Sequence, residues 1–112
     1  MKIATPYENE QVFQHFGRTL IFKIYEIENQ EIIKSYLVDS YGQGHGALNQ
    51  FLVKNKVDVV ICGGIGSGAI HALNEFEIKV YGGVIGNCDE GIQNYLSGNL
   101  VYYTNIQCSC HK

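Results

Sequence analysis

The stretch that most constrains this chain is VDVVICGGIGSGAIHAL, residues 57–73. Residues 57–62 are almost all apolar, which is typical of a central parallel strand that is buried on both faces. A glycine-rich turn follows at residues 63–68, and apolar residues then recur at helical spacing, with Ser67 as the expected N-cap. A buried strand, a tight turn and a helix in this order indicate an α/β domain.

The rest of the chain divides into short segments of the same kinds. Strands are predicted at residues 2–6, 19–28, 32–39, 57–62 and 78–83. Helices are predicted at residues 47–55, from Ser67, and after Asn87, which is the expected N-cap of the third helix, with Gly98 as its stop. The order β-β-β-α-β-α-β-α is that of the ribonuclease-H-like architecture, in which three antiparallel strands are followed by two right-handed crossovers.

This order predicts a three-layer α/β fold with a five-stranded mixed sheet and helices on both faces. We expect one domain at residues 1–106 and a Cys/His tail at residues 107–112. The hydrophobic residues, 46% of 112, are enough for a core. The net charge of −3 and the lack of a long basic run argue against nucleic acid as a partner.

No segment approaches the ~20 apolar residues of a membrane span, and the first ten residues contain no apolar stretch of signal-peptide length. We therefore expect a soluble, cytoplasmic protein without a membrane partner. In a reducing compartment the cysteines are expected to be thiols or ligands rather than disulfides.

The expected topology would gather potential ligands at one edge of the sheet. The loops that follow strands of one direction are residues 7–18, 40–46, 63–68 and 82–87. Open α/β sheets bind ligands at the carboxyl ends of their parallel strands. The side chains in or beside these loops are His15, His45, Cys62 and Cys88. Residues 100–106, if extended at about 3.3 Å each, would cover roughly 23 Å and could return the tail to the same edge.

Four motifs carry a resemblance to a known family. HFGR at 15–18, GGIGSGAIHAL at 63–73, IKVYGG at 78–83 and DEGIQNYLSGNL at 89–100 resemble the dinitrogenase iron–molybdenum cofactor biosynthesis and carrier family. The resemblance implies a ribonuclease-H-like fold. For some members it implies a role in carrying the iron–molybdenum cofactor or its iron–sulfur precursor. It also associates the histidine of the HFG motif, here His15, with cofactor binding.

The HFGR motif and the glycine turn could together bind an anionic cluster. His15 could supply an imidazole ligand, and Arg18 could offset the negative charge of a cluster. The alternative is a loop histidine that packs against Phe16. The backbone N–H groups of the turn could form an anion nest, for which the candidates are Gly63, Gly64, Gly66 and Ser67. A simple strand-to-helix bend explains the same glycines, and no GK[ST] follows, which excludes a Walker loop.

The CSCH tail is less typical of the family and suggests extra ligands. Cys108, Cys110 and His111 are candidate metal ligands, since soft ligands suit iron–sulfur clusters, zinc and copper(I). A fourth ligand would have to come from Cys88, from the HFG histidine or from exogenous sulfide, and the alternative is a tail with incidental thiols. Cys88 begins a helix, where the dipole favours a thiolate, although an apolar helix position is the other interpretation. Cys62 is expected in the core.

The residue types argue against an enzyme. A two-metal nuclease site needs carboxylates on the first strand and the first helix, and neither KIATP nor ALNQFLVKN contains one. We expect a non-enzymatic carrier of an iron–sulfur or iron–molybdenum type cluster, with a cofactor-assembly protein as a possible partner. The alternatives are a small zinc-binding or redox-sensing adaptor that uses the tail thiols, or a module whose glycine loops bind an anionic metabolite.

Overall fold

One mixed sheet and three helices form the part of the chain that the computed structural model describes, residues 1–40 and 45–103. The strands are β1 (Lys2–Glu8), β2 (Gln11–Val12), β3 (Ile21–Glu28), β4 (Glu31–Asp39), β5 (Val59–Ile61) and β6 (Lys79–Tyr81). The helices are α1 (His45–Lys54), α2 (Ser67–Glu75) and α3 (Cys88–Ser97), and Phe16–Arg18 forms one 3₁₀ turn. The predicted boundary at residues 106 and 107 lies outside the described residues.

The sheet has the order β4-β3-β1-β5-β6, with β2 paired to the end of β1. Strands β1, β3 and β4 are antiparallel neighbours, whereas β1, β5 and β6 are parallel to one another. The prediction of five strands was one short because the chain turns back after Glu8. Asn9 and Glu10 both have positive φ, 51° and 69°, as in the two-residue turns of tight hairpins, and β2 then pairs with β1.

The helices cover both faces of the sheet, as predicted. Helices α1 and α2 pack on one face, where their buried leucines are Leu48, Leu52 and Leu73. On the other face Ile92 of α3 packs against β1, β3 and β5. Strand β3 serves both layers because successive side chains alternate: Phe22 and Ile24 face α1, whereas Tyr25 and Ile27 face the α3 side. Burial of each large apolar side chain contributes about 1.5–3 kcal/mol.

Two of the three predicted helix ends are confirmed. The side chain of Asn87 accepts a hydrogen bond from the Glu90 amide at 3.0 Å, and Gly98 ends α3 in the left-handed region at φ 82°. The prediction for α2 was wrong by one residue, because Gly66 is its N-cap and Ser67 is its first helical residue. Among the described residues, no helix has both the length and the apolar character needed to cross a membrane.

Candidate functional site

The carboxyl ends of β1, β5 and β6 meet at one edge of the sheet, and the loops that follow them are joined by backbone hydrogen bonds. The Gly64 amide donates to the Gln14 carbonyl at 2.9 Å, and the Phe16 amide donates to the Gly64 carbonyl at 3.0 Å. These two bonds pair His15 with Gly64 as a parallel bridge. The HFGR motif and the glycine turn are therefore in direct contact at this loop edge.

The imidazole of His15 is exposed at this edge. Its ring lies edge-on to the ring of Phe13, with 6.0 Å between the centroids and an interplanar angle of 74°. The 3₁₀ turn begins at the next residue, where the side chain of Phe16 enters the core and is only 2% exposed. The buried ring thus anchors the motif, and its histidine remains accessible to a ligand.

The guanidinium of Arg18 is also exposed, at the end of the same 3₁₀ turn. It lines a mostly apolar pocket of about 280 Å³ on the surface, with Phe13 among its walls. The lining residues are Tyr7, Glu8, Asn9, Phe13, Arg18, Leu20 and Ile21. Because Phe13 contacts both His15 and this pocket, the imidazole and the guanidinium border the same region of the surface.

Gly63 and Gly64 lie so close to Gln14 that a Cβ at either position would be in steric conflict with it. A Cβ on Gly63 would lie 2.6 Å from the side-chain amide of Gln14, and a Cβ on Gly64 would lie 2.9 Å from the Gln14 carbonyl oxygen. The interpretation of the turn as a tight bend therefore accounts for these two positions. At the start of α2, no side chain caps the helix, and Ser67 is exposed there. Backbone N–H groups of that first turn could face an anion.

Two of the cysteines are core residues. Cys62 is fully buried, as predicted, and burial raises the pKa of its thiol to about 12. Cys88 is 2% exposed, and burial raises its thiol pKa to about 11. The sulfur of Cys88 lies 3.8 Å from the Pro6 carbonyl oxygen, to which it donates. The helix dipole does not make Cys88 a thiolate here, and its place in the core favours the apolar interpretation over a metal ligand.

The predicted tail ligands Cys108, Cys110 and His111 lie outside the described residues. The described chain ends at Tyr103, whose amide donates to the Gly82 carbonyl at 2.9 Å. Gly82 directly follows β6, so the last described residue lies at the loop edge. The predicted return of residues 100–106 to this edge is seen as far as Tyr103, and residues 104–106 lie outside the described residues.

The carboxylate of Asp89, at the start of α3, accepts hydrogen bonds from two side chains of β3, a contact that the sequence motifs did not indicate. Tyr25 donates a hydrogen bond to the Asp89 carboxylate at 2.6 Å, and Lys23 donates to the same oxygen at 2.9 Å. These two bonds, first that of Tyr25 and then that of Lys23, lower the pKa of Asp89. Acidic residues in the first turn of α3 offered a partial signal, but their partners on β3 are distant in sequence.

Together these features define a small α/β domain in which an exposed histidine pairs with a glycine turn at the carboxyl ends of three parallel strands, with an exposed arginine at the end of the 3₁₀ turn that follows the histidine. The model of the family described as dinitrogenase iron-molybdenum cofactor matches residues 1–98 of this chain. The chain belongs to that family, and the resemblance seen in its motifs is confirmed.

The chain is also similar to individual proteins and solved structures. The uncharacterized protein MJ0580 of Methanocaldococcus jannaschii is 34% identical over 105 residues, which cover 89% of each chain. The crystal structure of PH0822 matches with a TM-score of 0.87 and 30% identity over 94% of this chain and 96% of that one. The apo form of the orange protein from Desulfovibrio gigas matches with a TM-score of 0.75 and 25% identity, over 92% of each chain.

Proposed function

We propose that this protein binds an iron–sulfur or iron–molybdenum type cluster at the loop edge and carries it during cofactor assembly or delivery, without an enzymatic step. The observation that carries the proposal is the pairing of His15 with Gly64, which sets an exposed imidazole beside the glycine turn. Membership of a family described by an iron–molybdenum cofactor supports a metal cluster as the cargo. We also propose that the strand order belongs to the ribonuclease-H-like class.

The donors at the edge suit an anionic cluster better than a single metal ion. His15 could bind one metal of a cluster, and Arg18 could donate hydrogen bonds to sulfide or carboxylate. The N–H groups at the start of α2, next to Gly66, favour negative charge. Within residues 1–40 and 45–103, no three His, Cys, Asp or Glu side chains are grouped to hold a metal ion. In a cluster the bridging sulfides occupy part of the coordination of each iron, so each metal atom takes fewer protein ligands than a lone ion.

The tail would supply the remaining ligands. Cys108 is only five residues beyond Tyr103, a distance of about 17 Å or less along an extended chain. We propose Cys108, Cys110 and His111 as further ligands to the cluster, and we leave Cys88 out because its thiol is buried. An assembly protein that donates or receives the cluster is the partner that this role requires.

Anaerobic reconstitution tests the proposal. The protein is treated with ferrous iron and sulfide and desalted, and its iron, sulfide and visible absorption are measured. Wild type should retain iron and sulfide with charge-transfer absorption, because imidazole and thiolate ligands hold the cluster. H15A should lose most of the retained iron. H71A is the matched control, since His71 is an exposed histidine on α2 whose side chain is 80% accessible.

Two results would contradict the proposal. One is a wild-type protein that stays colourless and free of iron after reconstitution. The other is an H15A variant that retains as much cluster as H71A. A variant in which Cys108 and Cys110 are both serine tests the contribution of the tail separately. If the protein as isolated contained stoichiometric zinc that this variant lacked, the zinc-binding adaptor would replace the cluster carrier.

A further inference from the structure

We propose that Gln14 is the positioning residue for the His15 imidazole, an inference that rests on the proposed function. The side-chain amide of Gln14 donates two hydrogen bonds, to the Val12 carbonyl at 2.9 Å and to the Val84 carbonyl at 3.0 Å. Val84 belongs to the loop after β6, seventy residues further along the chain. One side chain thus ties the HFG loop to a second loop of the edge.

The same side chain occupies the space that a glycine leaves open. The side-chain amide of Gln14 lies where a Cβ of Gly63 would be, with 2.6 Å between that Cβ and the amide carbon. The carbonyl of Gly63 in turn accepts a hydrogen bond from the Gly83 amide at 2.9 Å. The side-chain amide of Gln14 therefore lies against Gly63 in the loop after β5 and bonds to the loop after β6, and both of its N–H donors are satisfied although the residue is exposed.

This arrangement fixes the direction of the neighbouring histidine. Gln14 points toward Gly63, whereas His15 lies on the side of Phe13, as their ring contact shows. The backbone is held by Gly64 on both sides of His15. Gln14 thus acts through the backbone to hold the imidazole beside Phe13.

The first experiment measures amide hydrogen exchange in the protein without a cluster. Q14M keeps a side chain of similar shape over Gly63 but removes both donors. Q93M is the matched control, because Gln93 is exposed on α3. Loss of two neutral hydrogen bonds should speed amide exchange of Gly64 and Phe16 by about 10-fold or more in Q14M. Exchange in Q93M should match wild type. Unchanged exchange of these two amides in Q14M would overturn the inference.

The second experiment measures the protein reconstituted with ferrous iron and sulfide. Pulsed electron paramagnetic resonance detects nitrogen coupled to the reduced cluster, and H15A gives the baseline without the His15 imidazole. Q14M should weaken cluster affinity by about 10-fold, as loss of a residue that orients a ligand does. The nitrogen coupling in Q14M should fall toward the H15A baseline, whereas Q93M should keep the cluster affinity and the nitrogen coupling of wild type. A merely structural role would lower stability and leave the coupling of the bound cluster intact.

The outcomes separate this inference from the proposed function. If Q14M binds the cluster and shows the same nitrogen coupling as wild type, the positioning role of Gln14 is overturned. If wild type binds no cluster, or binds one without the His15 nitrogen signal, the proposed function fails. In that case the exchange of Gly64 and Phe16 still decides whether Gln14 fixes the HFG loop.

Discussion

Replacement of Tyr25 by phenylalanine tests how β3 holds the start of α3, and with it the loop after β6. Tyr25 is 1% exposed, and its hydroxyl donates to the Asp89 carboxylate at 2.6 Å. A hydrogen bond to a charged group contributes about 1.5–3 kcal/mol. The side chain of Asp89 is 56% exposed and keeps its bond from Lys23, so water and Lys23 offset part of the loss. We therefore expect Y25F to lower the free energy of unfolding by about 1.5 kcal/mol.

The effect should depend on pH in a defined direction. The hydrogen bonds from Tyr25 and Lys23 lower the pKa of Asp89 in the folded protein. A carboxylate with a lowered folded pKa stabilises the protein above its unfolded pKa, and this contribution disappears as the pH falls through the folded value. The deficit of Y25F should be complete at neutral pH and should shrink below the ordinary aspartate pKa of about 3.9.

Urea denaturation followed by circular dichroism, at about pH 7 and about pH 3, measures this difference. The matched control is Y36F, which also removes a tyrosine hydroxyl bonded to a carboxylate. Tyr36 lies on edge strand β4 and donates to Glu26 at 3.0 Å. This more exposed pair should contribute less than about 0.5 kcal/mol. The reasoning is refuted if Y25F and Y36F are equally stable, or if the Y25F deficit persists in acid.

Two further predictions concern the loop after β6 and the buried thiols. G83A should destabilise the protein in urea by more than G98A, for which about 1–2 kcal/mol is expected. Both glycines have φ near 80°, but a Cβ on Gly83 would clash with the Tyr103 ring, whereas nothing lies within 4 Å of one on Gly98; equal losses would contradict this. In a variant without the tail cysteines, Cys62 and Cys88 should react with a thiol reagent at about pH 8 only after unfolding, because burial raises their pKa values to about 12 and about 11. Rapid reaction of Cys88 in the folded protein would return it to the candidate ligands.

Hydrophobic pattern and chain order were enough to predict the main sheet and the layers. The apolar run at residues 57–62 contains β5, and its parallel neighbours follow from the crossover connections. Strand β2 could not be predicted in this way, because its two residues are too short to show a periodicity. The N-cap of α2 was misplaced because Ser67 is a common cap residue, while Gly66 adopts the extended backbone that the cap position needs.

Part of the candidate site could also be predicted. The topology alone brought the HFGR loop and the glycine turn to one edge, and the pairing of His15 with Gly64 agrees with that. The role of Gln14 could not be predicted, because its side chain bonds to the backbone carbonyls of Val12 and Val84, and every residue type supplies a backbone carbonyl. For Cys88, burial favours the apolar interpretation of the two that its position in the sequence left open.

The glycine pair at the start of the turn explains why the two motifs form one unit. Neither Gly63 nor Gly64 has a backbone conformation that excludes other residues, so freedom of φ is not the reason for glycine there. The reason is the close approach of Gln14, whose side chain lies over Gly63 and whose carbonyl oxygen accepts from Gly64. An alanine at position 64 would meet the Gln14 carbonyl oxygen, and one at position 63 would require the side-chain amide of Gln14 to move. The glycines that resemble an anion cradle are thus explained by their close contacts with Gln14, the residue next to His15.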